Sequence, residues 1–156
     1  YRMARASLLD KAPIPAQNVH RIRGELAPQE AVAAYEATLR RELGAGGRLD
    51  LVLLGMGEDG HTASLFPGSP ALHEQTRWVA AQEVEKLGAW RITLTPPLIN
   101  AAANVFFLVA GEGKAGRLRQ ALACPGQEEL LPAQMLHPVE GRLLWLVDRA
   151  AAGLLD

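Results

Sequence analysis

The chain has 156 residues, enough for one compact domain, with 49% hydrophobic and 21% charged residues. That balance excludes an intrinsically disordered chain, and a formal net charge of -1 excludes a broad polyanion-binding surface, so no nucleic-acid partner is expected. No apolar run reaches the roughly 18 residues that span a bilayer, and no leader pattern opens the chain, so no membrane partner is expected either.

The chain begins with Tyr rather than Met, and Tyr1–Leu9 already reads as helix with no capping residue before it. A processed chain or a fragment is therefore expected. Pro13 and Pro15 cannot continue this helix, which ends near Asp10. Val19–Ile22 alternates apolar and polar residues and reads as a short strand. Pro28 opens a longer helix, at a position where its missing N–H costs nothing. Val32, Tyr35, Leu39 and Leu43 keep helical spacing, and Gly44, Gly46 and Gly47 end it.

Leu49–Leu54 is a short apolar run bounded by glycines, the pattern of a buried strand in a parallel sheet. Trp78–Ala81 is a weaker strand candidate. Pro96–Ala102 reads as a helix with proline in its first turn, and Asn104–Ala110 as a strong strand. A helix is expected from the Gly111–Lys114 turn through Leu122. Residues 124–141 are loop-rich, with a short helix near Pro132–Met135. Leu143–Val147 is a last strand, after which Asp148 caps a closing helix. The single cysteine, Cys124, excludes an intrachain disulfide and reads as structural. One free cysteine favours a reducing compartment such as the cytoplasm.

This alternation predicts a single α/β domain over residues 1–156, three-layered, with a mostly parallel sheet and helices on both faces. In such sheets ligands bind beyond the carboxyl ends of the strands. Two features fall there: the loop Gly55–His61 and the loop Gly111–Lys114. In the first, Gly55, Gly57 and Gly60 let the backbone turn tightly and approach a ligand, with amides able to meet an anion. Asp59 and His61 stand two residues apart, close enough for a carboxylate–imidazole contact, and histidine suits a general base near neutral pH. Taken on chemistry alone, the loop reads equally as an active site or as an ordinary strand-end turn. It is neither a dinucleotide fingerprint nor a Walker loop, and no Gly-x-Ser-x-Gly elbow is present. Arg91 and Lys114 could pair with a phosphate, though each also reads as a solvated surface charge. No His or Cys pair has metal-ligand spacing, so no metal is expected.

Three segments, Leu49–Gly68, Arg91–Ala102 and Phe107–Ala115, resemble the 6-phosphogluconolactonase family, which is grouped with the glucosamine-6-phosphate isomerases and deaminases. The resemblance covers nearly the whole chain and implies a Rossmann-like fold of the sugar-phosphate isomerase type. It also implies that the family's N-terminal part, with its first strands and a phosphate loop, is missing here. By the same resemblance, His61 is the catalytic base and Asp59, Gly57 and Gly60 shape the loop around the sugar. Arg91 and Lys114 fall where the family places cations near the substrate phosphate. The implied substrate is 6-phospho-D-glucono-1,5-lactone, hydrolysed without metal or other cofactor. Water activated by His61 would attack the carbonyl, and loop amides would hold the oxyanion. The deaminase branch continues its histidine motif with an additional carboxylate, whereas Thr62–Pro67 contains none. A non-enzymatic sugar-phosphate sensor is the remaining alternative, but the chain contains no convincing DNA-binding helix pair. A chain active only when completed by its missing part is a further expectation. The sequence carries no signal of oligomeric state.

Overall fold

A computed structural model describes residues 1–123 and 130–155; Cys124 lies outside the described residues. The first helical stretch comprises α1 (Arg2–Ala4) and a π turn over Arg5–Leu9, ending at Asp10 ahead of the two prolines. Val19–Ile22 is not a strand, because no described strand pairs with it to form a ladder. It passes α2 instead, where the Tyr35 hydroxyl donates to the His20 carbonyl at 3.4 Å.

Helix α2 (Pro28–Leu43) starts with Pro28 in its first turn and stops at Gly44, whose φ of 65° is left-handed. Glu30 at its start and Arg40 and Arg41 at its end complement the helix dipole. Its buried residues Val32 and Leu39 pack on Val79 and Leu98. Val79 belongs to a two-stranded antiparallel hairpin, β2 (Val79–Val84) and β3 (Ala89–Leu94). The hairpin is longer than the Trp78–Ala81 pattern suggests, and left-handed Gly88 (φ 53°) makes its turn possible.

The main sheet is parallel, with order β1–β4–β5. These strands are Val52–Gly55, Asn104–Val109 and Arg142–Val147, so the apolar runs read from the sequence do form them. Val52, Leu54, Val105, Phe107 and Val109 pack into one core with Ile99 of α3 (Pro96–Asn100), Leu118 of α4 (Ala115–Leu122) and Leu136. Phe107 stacks on Trp145, with ring centroids 4.0 Å apart and planes inclined by 6°. The Pro132–Met135 turn is 3-10 rather than α-helical. Beyond β5 the chain forms turns, not the closing helix expected. Asp148 still caps them, accepting the Ala151 N–H at 2.7 Å. Parallel strands put the segments after β1, β4 and β5 at one end of the sheet, where the site lies.

Candidate active site

The loop after β1 is closed by its own backbone. The Gly57 N–H donates to the His61 carbonyl at 2.8 Å, and the Gly60 N–H to the Gly57 carbonyl at 3.0 Å. Thr62 Oγ1 donates to the Gly55 carbonyl at 2.8 Å, tying the loop back to the strand. Two glycines are required by this shape. A Cβ at Gly57 would collide with the His61 imidazole and stand 2.7 Å from Asp59 Oδ1. Gly60 has a φ of 83°, and a Cβ there would lie 2.8 Å from the side chain of Leu131. The amides of Gly57 and Gly60 are thus engaged within the turn itself.

The turn brings Asp59 and His61 together. Asp59 Oδ1 lies 2.5 Å from His61 Nδ1 and accepts the His61 backbone N–H at 3.2 Å. The second oxygen, Oδ2, accepts from the Lys86 ammonium. Partial burial pushes the Asp59 pKa up, but the hydrogen bonds from Lys86 and His61 outweigh it and hold the carboxyl well below the usual range. An ionised carboxylate only accepts, so Nδ1 carries the proton of the 2.5 Å contact, and in the neutral imidazole the lone pair is then on Nε2. A tightly held imidazole with a free Nε2 is the arrangement a general base needs.

Phe66 is the platform for this pair. Its ring is buried and stacks on His61, with centroids 4.4 Å apart. Ala63, two residues after His61, adopts a left-handed φ of 50°, which costs an alanine about 1 kcal/mol. The loop then locks onto the hairpin. The Ser64 N–H donates to Thr93 Oγ1 at 3.2 Å, and Gln82 Nε2 donates to the Ser64 carbonyl at 2.6 Å.

Beside His61 is a cleft of about 510 Å³, lined by Val52–Gly57, Ala63, Leu94, Ile99 and Lys114. It follows the side of edge strand β1 that no described strand pairs with. Of the two cations singled out from the sequence, Lys114 lines this cleft with Gly55, Gly57 and His61, and Arg91 does not. Arg91 sits on β3 opposite Gln82, on the hairpin face that carries Thr93 toward Ser64. The Gly111–Lys114 turn is fixed from β5, because the Asp148 carboxylate accepts the Gly111 N–H at 3.1 Å. Another cleft, of about 580 Å³, lies at the opposite ends of the strands beside Arg48, Asn100 and Glu140 and contains no histidine. Among the described residues no cluster of His, Cys, Asp and Glu could hold a metal ion. No helix among them is long and apolar enough to cross a membrane.

Sequence reasoning did not find Lys86 or Phe66. Lys86 acts across 27 residues, from a hairpin whose second strand was not recognised. A weak signal was available in the near-alternating stretches on either side of Gly88.

Fold and loop together define an α/β protein with a carboxylate–imidazole pair at the carboxyl end of a parallel sheet. The sequence profile of the glucosamine-6-phosphate isomerases/6-phosphogluconolactonase family matches residues 1–145, and the chain belongs to that family. A 6-phosphogluconolactonase of Rattus norvegicus is 43% identical over the whole of this chain and 61% of its own length. That of Homo sapiens is 42% identical, covering 99% of this chain and 61% of its own. An Oryza sativa protein named "Probable 6-phosphogluconolactonase 3, chloroplastic" is 38% identical and is matched over 51% of its length. The chain thus spans about half to two thirds of the length of these relatives. Among solved structures, "devB protein" superposes on the whole chain with a TM-score of 0.91 at 33% identity, over 66% of its own length. The 6-phosphogluconolactonase of Trypanosoma cruzi does so with a TM-score of 0.85 at 32% identity, again over 66%.

Proposed function

We propose that this chain carries the hydrolytic centre of a 6-phosphogluconolactonase, converting 6-phospho-D-glucono-1,5-lactone to 6-phosphogluconate. The observation that carries the reading is the 2.5 Å contact between Asp59 and His61, whose imidazole lines the cleft. The names of the rat and human relatives support the choice of substrate.

In this reading His61 Nε2 removes a proton from water as the water oxygen attacks the lactone carbonyl. The carbonyl π pair moves onto oxygen and forms a tetrahedral oxyanion. The Gly57 and Gly60 amides are engaged in the turn, so the oxyanion is met by other donors of the cleft. Collapse of the intermediate breaks the bond to the ring oxygen, which takes the proton held on His61. Asp59 stays ionised throughout and stabilises the imidazolium. Lys114, and Arg91 from the hairpin, are proposed to serve the substrate phosphate. An ester of this reactivity needs no covalent nucleophile. The deaminase reading lacks its carboxylate: Thr62–Pro67 has none, and Glu58 is packed against Gly113. We read the cytoplasm as the compartment from the single cysteine; a fluorescent fusion of the intact gene product accumulating in an organelle would overturn that.

The test is hydrolysis of freshly prepared lactone above its spontaneous rate, by this chain and by the chain extended to the length of its relatives. His61→Ala is expected to lower turnover at least about a hundredfold with the fold intact. An alanine variant as active as the parent refutes His61 as the base. A folded, extended chain that binds the phosphosugar without turning it over identifies a sensor instead.

A further inference from the structure

The site reading gives Lys86 no chemical step, yet its ammonium reaches the pair that carries the reaction. Lys86 lies in the hairpin turn Glu85–Leu87, between β2 and β3, on a different element from the loop it contacts. Its ammonium donates to Asp59 Oδ2 and sits over the Phe66 ring, 4.7 Å from the centroid. His61 meets the same two groups from the loop: Asp59 Oδ1 at 2.5 Å and the Phe66 ring at 4.4 Å. The Asp59 carboxylate is therefore gripped at both oxygens, and the two groups that grip it share one buried aromatic platform.

We propose that Lys86 is a positioning residue, which pins the Asp59 carboxylate so that Oδ1 holds His61 as its Nδ1–H tautomer with Nε2 turned to the cleft. The proposal rests on the reading of His61 as the base. A carboxylate held at one oxygen swings about its terminal torsion, a broad two-fold well with no strong preferred angle. A donor on the second oxygen removes that freedom. Lys86 is itself located by a cation–π contact with a buried ring rather than by the ion pair alone. Its side chain is 54% exposed, so the ion pair is screened and contributes little to stability. What it supplies is geometry, carried from hairpin to loop.

A fold contribution and a positioning role predict different results. In neutral His61, the imidazole nitrogen shifts measured by NMR on this chain are expected to report mainly Nδ1–H. Lys86→Met should move them toward a mixture of tautomers while Tm changes by no more than about 3 °C. Asp59→Asn marks the full loss of the carboxylate acceptor, and Lys86→Arg should restore most of the parent preference. In the intact protein, Lys86→Met should lower kcat about three- to tenfold and leave KM within about twofold. Nitrogen shifts in Lys86→Met that match the parent overturn the proposal, as does a kcat that falls only in step with Tm. His61→Ala run alongside separates the two readings. Full activity in that variant removes the base, whereas an inactive His61→Ala with unchanged tautomers in Lys86→Met removes only the role of Lys86.

Discussion

On one face of the three-stranded sheet Val52 and Leu54 of β1 and Val105 and Phe107 of β4 are at most 7% exposed; on the other, Leu53 and Leu108 are 61% and 49% exposed. Register pairs Leu54 with Phe107 and Trp145, and Leu53 with Phe106 and Leu144, so each face is a continuous apolar row. The first row is covered by α3, α4 and the Pro132–Met135 turn. No described element packs the second to the same depth. An apolar side chain contributes to stability in proportion to the area it loses to water, so the two rows differ in energy although both are apolar. The cleft beside His61 runs along the edge of β1 that no described strand pairs with and touches both rows, through Leu53 and Leu54. The loop that carries Asp59 and His61 therefore springs from a strand that pairs with a described strand on one side only.

The contrast is sharpened most by Phe107→Ala. Phe107 has no exposed surface and stacks on Trp145, so its truncation is expected to cost about 3–5 kcal/mol in urea unfolding. A cost below about 1 kcal/mol would mean that the packed face is not the core. Leu54→Ala comes next, at about 2–5 kcal/mol, and carries a further consequence. Leu54 anchors the strand that leads into Gly55–His61, so lactone hydrolysis is expected to fall as well, without any change in the chemistry of the pair.

How much of this contrast the sequence could reveal follows from what each signal encodes. Mainly apolar runs at Leu49–Leu54 and Asn104–Ala110 identify parallel strands, because a strand covered on both faces shows little polar alternation. They predict helices on both faces but cannot say which residues supply each layer. The Gly-rich run with Asp59 and His61 was legible because the turn demands glycine at positions 57 and 60. Arg91 and Lys114 looked alike in the sequence; only the fold separates the one on the hairpin from the one in the cleft. Lys86 was invisible because its partner is 27 residues away, across a hairpin turn. Val19–Ile22 misled for the converse reason: its alternation is a local property, whereas a strand needs a neighbour.

Leu53→Ala has the smallest expected effect and is the closest test of the comparison. Leu53 differs from Leu54 by one position and one face, with the same side chain on the same strand. If the open row is solvated in this chain, removing the Leu53 side chain creates no cavity, and the cost should stay within about 0.5 kcal/mol. A cost above about 1 kcal/mol would mean that the row is covered in solution. Repeating the unfolding across a hundredfold range of protein concentration then identifies the cover. A cost that grows with concentration points to a second copy of the chain on the sheet face that carries Leu53, Leu108 and Leu146, because association stabilises by mass action. A cost independent of concentration points to a segment of the same chain folding back on it. Either result leaves the buried row and the Asp59–His61 pair as they are and changes only what completes the other side of β1.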